Sequence, residues 1–188
     1  LISNETAMED TKKIIAIESD GAMVAGFPAV PVSTADIPND QSWPSDMSGQ
    51  IPNNDLIVTD VNADGIDEII FCHHLQEAWP RNKVTMGIID GHGKALPGWP
   101  KTIPDRTYNA KISVAELDET VAGKEILLYL RQGNSGYALK VYSLTGELLQ
   151  TRSFSNRSLM SYRIRLSDVT GDGLSEVLLS YYRNNQIY

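Results

Sequence analysis

Two stretches of the chain carry oxygen ligands at the same spacing, about a hundred residues apart. Residues 56–71 read LIVTDVNADGIDEIIF and residues 164–179 read IRLSDVTGDGLSEVLL. The first contains Asp-x-Asn-x-Asp-Gly-x-x-Glu (Asp60, Asn62, Asp64, Gly65, Glu68), the second Asp-x-Thr-x-Asp-Gly-x-x-Glu (Asp168, Thr170, Asp172, Gly173, Glu176). Side-chain oxygens at positions 1, 3, 5 and 9, a Gly turn at 6 and a backbone carbonyl at 7 suit a hard cation such as Ca²⁺. Thr170 is a poorer ligand than Asn or Asp, and acts directly, through a water, or not at all.

An EF-hand is excluded by the spacing. Its loop needs a bidentate Glu at position 12 between two helices, and position 12 is Phe71 in one loop and Leu179 in the other. The flanks are short and rich in Ile, Val, Leu and Phe, as strands are. Asp-Gly between apolar runs is also a common hairpin signal; two copies in the same strand–loop–strand setting favour the metal loop.

The elements around these loops recur as well. Residues 14–31 (IIAIESDGAMVAGFPAVP), 87–104 (GIIDGHGKALPGWPKTIP) and 141–154 (VYSLTGELLQTRSF) are each an apolar strand, a Gly-centred turn and a second strand. The turn glycines Gly21, Gly93 and Gly146 stand 72 and then 53 residues apart. Gly26-Phe27-Pro28 and Gly98-Trp99-Pro100 match. Residues 112–130 (ISVAELDETVAGKEILLYL) form a middle counterpart of the acidic loops, with Glu116 standing 56 residues after Asp60 and 52 before Asp168. That loop has no Gly at position 6, carries one extra residue, and sets Lys124 beside its last acid, Glu125. A local cation there repels Ca²⁺, so the middle loop is expected to be metal-free.

Two hairpins per unit of about 54 residues predict an all-β protein of four-stranded antiparallel sheets, the pattern of β-propeller blades. The expected units are 1–54 (a partial blade plus an inserted loop), 55–104, 105–155 and 156–188 (a partial blade). Residues 32–54, rich in Pro, Asp, Asn and Ser, are the inserted loop.

These loops and hairpins resemble the FG-GAP or VCBS repeats of integrin α-subunit β-propellers and their bacterial secreted relatives. The resemblance covers most of the chain. It implies that the side chains of Asp60, Asn62, Asp64 and Glu68 and the carbonyl of Ile66 ligate one Ca²⁺. It implies a second ion on Asp168, Asp172, Glu176 and the carbonyl of Leu174, with Thr170 the weakest member. Glu at position nine, where Asp is common, departs from the family pattern and loosens the geometry. The family's calcium is structural, and about seven blades close its ring, so the remaining blades are expected from the parent chain.

Composition sets further bounds. The 188 residues are 41% apolar with a net charge of −8 and a pI near 4.8. This argues against nucleic-acid or anionic-membrane partners, and no apolar run is long enough for membrane insertion. The lone cysteine, Cys72, allows no internal disulfide and is expected on a buried strand. The chain opens Leu-Ile-Ser without a Met or a signal peptide, as a processed piece would. Loops of this kind work where calcium is near millimolar, which points to a secreted or cell-surface, bacterial location.

Catalytic signatures (GxSxG, HExxH, P-loop, CxxC) are missing from the sequence. His73 and His74 are adjacent on an expected strand and point to opposite faces. The expected role is a non-enzymatic binding or scaffolding module for a protein or carbohydrate ligand, with Trp43 and Trp79 as surface candidates and Trp99 packed between blades. The alternative is the propeller domain of a secreted enzyme, such as a polysaccharide lyase or peptidase, with catalysis elsewhere.

Overall fold

The computed structural model describes residues 14–27, 55–75, 83–103, 107–132, 136–154, 162–183 and 186–187. The expected inserted loop at 32–54, with Trp43, and also Trp79 lie outside them. Among the described residues the protein is all-β, with no helix.

Among the described residues, eleven strands build three antiparallel sheets. The first sheet takes β1 (Asp55–Thr59), β2 (Glu68–Leu75), β3 (Lys83–Ile89) and β4 (Lys101–Ile103) in sequence order. The second takes β5 (Thr107–Ala115), β6 (Glu125–Gln132), β7 (Gly136–Tyr142) and β8 (Leu148–Phe154), again in order. The third holds β9 (Tyr162–Ser167), β10 (Glu176–Arg183) and the short β11 (Gln186–Ile187). Each acidic loop joins the first two strands of its sheet. The registers at the loop mouths correspond: Thr59 faces Glu68, Ala115 faces Glu125 and Ser167 faces Glu176.

Alternation along β6 shows how the sheets stack. Ile126, Leu128 and Leu130 pack with Ile70, Cys72, Met86 and Ile88 of the first sheet, while Leu127 and Tyr129 face Ile164, Leu166 and Val177 of the third. Side chains one residue apart point to opposite faces, so β6 is covered on both sides and its run from Ile126 to Leu130 is buried throughout. Cys72 is buried in this first interface. The outer face of the first sheet meets the 14–27 hairpin through Phe71, Ile89 and Phe27. Among the described residues of that hairpin, Ile17 and Met23 form an isolated antiparallel bridge.

The Gly-centred turns share one hydrogen-bond pattern. Gly21, Gly93 and Gly146 donate their N–H to the carbonyls of Glu18, Asp90 and Ser143, each at 2.9 Å. All three glycines have positive φ, as does the second glycine of two of the hairpins, Gly26 and Gly98. The latter pair has a further reason to be glycine. A Cβ on Gly26 would overlap the His92 carbonyl, and one on Gly98 the Thr145 carbonyl. Each hairpin therefore presses its backbone onto the turn of the next. Beside the second contact, buried Trp99 donates Nε1–H to the Leu144 carbonyl at 2.6 Å and tilts against Tyr142, ring centroids 6.3 Å apart. Trp99 packs between sheets, as expected from its counterpart Phe27.

Candidate metal centre

The first loop begins where β1 ends and folds back on its own side chains. Asp60 accepts the N–H of Asp64 on Oδ1 (3.2 Å) and of Gly65 on Oδ2 (2.9 Å). Asn62 Oδ1 accepts the same Asp64 N–H at 2.9 Å, and Asp64 Oδ1 accepts the Ile66 N–H at 2.8 Å. Asn62 Nδ2 then donates to Asp64 Oδ2 (3.0 Å) and to Glu68 Oε1 (3.2 Å). The four expected ligand side chains thus belong to one hydrogen-bonded cluster. Gly65 supplies the left-handed turn at φ 87°, and Ala63 is also left-handed at φ 61°.

Glu68 closes the loop. Its Oε2 accepts the Val61 N–H at 3.0 Å, and the residue is only 2% exposed. Burial, with the added repulsion of Asp64, Asp60 and Asp67, pushes its carboxyl above the ordinary glutamate range. Asp60 is shifted the other way, chiefly because the Gly65 N–H favours its charged form.

The loop at Asp168 has the same plan in a more open setting. Asp168 accepts from Gly171 on Oδ1 (2.6 Å) and from Gly173 on Oδ2 (2.9 Å); these donors hold its carboxyl below the usual range, Gly173 contributing most. Asp172 Oδ1 accepts the Leu174 N–H at 2.9 Å. Glu176 Oε2 accepts from Val169 (2.8 Å) and Thr170 (3.3 Å), and the Thr170 hydroxyl donates to Oε1 at 3.4 Å. Thr170 lies within the cluster, but its long contact ties the third position less firmly than Asn62 does.

The middle loop corrects one sequence expectation. Lys124 does not supply a local countercharge. Its ammonium donates to the Asp60 carbonyl at 2.8 Å and to Thr59 Oγ1 at 3.4 Å, both on the first sheet, and its N–H donates to the Val61 carbonyl at 2.9 Å. Ser175 repeats the backbone contact one sheet further on, donating its N–H to the Glu116 carbonyl at 2.8 Å. The residue before each of these closing glutamates therefore anchors its loop to the preceding one. Sequence reasoning missed this use of Lys124 and Ser175; the one available signal was that both directly precede the closing Glu.

Glu125 mirrors Glu68. Its Oε2 accepts the Leu117 N–H at 2.8 Å, and it is 1% exposed. Burial first, then repulsion from Glu116 and Asp118, raises its carboxyl above the ordinary range. Asp118 Oδ1 accepts the Thr120 hydroxyl (2.6 Å) and N–H (2.9 Å), which hold its carboxyl low, the hydroxyl most strongly.

The donor chemistry of the first and third loops fits a hard cation: carboxylates plus an amide or a hydroxyl, and no sulfur or imidazole. In the first loop a polarised NH₂ group already bridges two carboxylates. Among the described residues, no three His, Cys, Asp or Glu side chains are gathered into a ready-made cage; much of the loops' oxygen is engaged by their own N–H groups. His73 and His74 lie on β2 opposite Thr85 and Val84.

Comparison with family models, with curated proteins and with solved structures finds no match.

Proposed function

We propose that this chain is a segment of a calcium-stabilised β-propeller that works outside the cytoplasm as a binding or scaffolding module for a protein or carbohydrate ligand. The observation that carries the reading is the common construction of the loops: in each, a glutamate at the start of the second strand accepts the N–H of the loop's second residue. That fold-back holds acidic positions together at the mouth of successive stacked sheets. Consecutive four-stranded sheets in sequence order support the blade reading.

In this reading Asp60, Asn62, Asp64, Glu68 and the Ile66 carbonyl hold one Ca²⁺. Asp168, Asp172, Glu176, the Leu174 carbonyl and Thr170 hold another. Each ion replaces the loop's internal donors as the partner of its carboxylates, and Asn62 turns its amide oxygen inward. The cation also offsets the repulsion that raises the Glu68 carboxyl. With each Kd between about 0.1 and 1 mM, millimolar Ca²⁺ contributes roughly 0.4–1.4 kcal/mol per site. The ion is structural, and the propeller is completed by further blades.

Thermal unfolding in EGTA and in 2 mM Ca²⁺ tests the metal, with calorimetry for stoichiometry; a higher midpoint with Ca²⁺ and measurable binding heat are expected. No heat and no shift would remove calcium from the reading. A glycan and protein binding screen on the full-length protein addresses the ligand, and polysaccharide cleavage by the full-length protein would favour the enzyme alternative.

A further inference from the structure

Comparing the three closing glutamates isolates one atom. Glu68 Oε1 receives an N–H from Asn62, and Glu176 Oε1 receives the Thr170 hydroxyl, in each case from the third loop position. In the middle loop that position is Asp118, whose charged form is favoured by the Thr120 hydroxyl and N–H. An ionised carboxylate can only accept. Glu125 Oε2 keeps the Leu117 N–H, but Oε1 is buried with no hydrogen-bond partner. As a carboxylate oxygen it carries the full cost of lost hydration; protonated, it becomes a donor, which is what an acidic third position can receive. The loop that Glu125 closes also touches both neighbouring sheets. The ammonium and N–H of Lys124 reach the Asp60 and Val61 carbonyls of the first, and the Glu116 carbonyl accepts the Ser175 N–H of the third.

We propose that Glu125 is a neutral acid in the folded protein, its Oε1–H donated to the Asp118 carboxylate, and that loss of this proton loosens the middle loop and with it both sheet boundaries. The middle loop is then a pH-sensitive joint, an inference that does not rest on calcium or on the propeller reading. The charged groups around the joint are Glu116, Asp118, Glu119 and Lys124 of the loop, Asp60 and Glu68 at the mouth of the first sheet, and Glu176 at that of the third. Lys124 is committed to the Asp60 carbonyl and offers Glu125 no countercharge. Burial outweighs the Leu117 and Glu125 N–H groups and, with repulsion from Glu116 and Asp118, pushes the Glu125 carboxyl up. A carboxyl raised on folding stabilises the fold fully below its unfolded pKa. That contribution is lost as the pH climbs from there to the folded value, so the joint is tight in mild acid and slack in base.

The test uses the 188-residue chain in chelator, so that no metal titrates with it. Carboxyl ¹³C NMR of the wild type, with the Glu125 signal assigned by its loss in Glu125→Gln, should give a midpoint about one pH unit or more above the ordinary glutamate value. Glu125→Gln is neutral at every pH and its amide can donate. Relative to it, the unfolding constant of the wild type in urea should rise about threefold or more from pH 5 to pH 8. Over the same range, amide exchange at Lys124 and Ser175 should quicken in the wild type beyond the chemical rate and not in Glu125→Gln. Asp118→Asn, at an exposed position, gives Glu125 the donor that Asn62 gives Glu68, and should bring the midpoint back toward the ordinary value. A Glu125 midpoint in the ordinary range, or parallel pH dependence of wild type and Glu125→Gln, overturns the proposal. So does a raised midpoint that Asp118→Asn leaves in place, or exchange at Lys124 and Ser175 that is the same in both proteins. Calcium binding by the first and third loops is tested separately by calorimetry, so either reading can fail alone.

Discussion

The ammonium of Lys124 lies 2.8 Å from the carbonyl oxygen of Asp60, across the boundary between the first and second sheets. The same peptide group donates its N–H, on Val61, to the Glu68 carboxylate. A cation on one end of a peptide and a carboxylate on the other polarise it in the same sense, which strengthens both bonds. Lys124→Met should therefore loosen the sheet boundary and the closing glutamate together. Hydrogen bonds to charged groups are worth about 1.5–3 kcal/mol, and screening of this half-buried lysine brings the expected loss to roughly 1 kcal/mol. Urea unfolding of Lys124→Met and Lys124→Arg measures it; equal stability of Met and wild type would show the contact to be idle.

The left-handed positions of the loops offer an asymmetric pair. Ala63, at φ 61°, stands where the loop at Asp168 has Gly171, at φ 80°. A residue with a Cβ in this region costs about 1–2 kcal/mol relative to glycine. Ala63→Gly should relieve that strain, offset in part by a more flexible unfolded chain, and Gly171→Ala should impose it. Opposite shifts of the denaturation midpoint are expected, each about 0.5–1 kcal/mol. Shifts of the same sign would contradict the loop geometry.

Trp99 tests the contact between hairpin and turn. Trp99→Phe keeps a buried ring and removes the Nε1–H donor to Leu144, leaving that carbonyl unsatisfied at a cost of about 1–3 kcal/mol. Gly98→Ala should cost more, because its Cβ meets the Thr145 backbone and its φ is positive. If Gly98→Ala proved the milder change by chemical unfolding, the close approach would be wrong.

How far the sequence showed this depends on which partner a residue needs. Strands and turns were legible because their signals are local: apolar runs around the acidic loops, and glycines at Gly21, Gly93 and Gly146 where the chain takes positive φ. The candidate ligands were legible for the same reason, since Asp60, Asn62, Asp64 and Glu68 are near one another in sequence and fold onto a single loop. The direction of Lys124 was not. Its partners, Thr59 and Asp60, are more than sixty residues away, and no local pattern encodes which sheet lies beside it.

The first and third loops should differ in calcium affinity. Asn62 bridges Asp64 and Glu68, whereas Thr170 reaches only Glu176, at 3.4 Å. The Asp60 loop also holds its closing glutamate buried, while Glu176 is only half-buried. More side-chain oxygens in a tighter frame favour the first site. Calorimetry of Asp64→Ala should therefore lose the tighter of the two events and Asp172→Ala the weaker. The reverse assignment would show that neither ligand number nor the buried closing glutamate sets the order.

Val61 and Val169 occupy the same loop position and differ in burial, 1% against 59% exposed. Val61 is covered by the second sheet, whose Lys124 N–H also takes its carbonyl. Among the described residues no further sheet covers Val169 on the third. An uncovered apolar position favours association. In the propeller reading this face receives the next blade of the parent protein. Taken alone, the 188-residue chain should then self-associate, and sedimentation equilibrium should give a mass above the 20.7 kDa of one chain, rising with concentration. Val169→Lys should return it toward the monomer without lowering the cooperativity of unfolding. A compact monomer at high concentration, with Val169 already shielded from solvent in quenching or exchange measurements, would mean that the three sheets close upon themselves and that no further blade docks there.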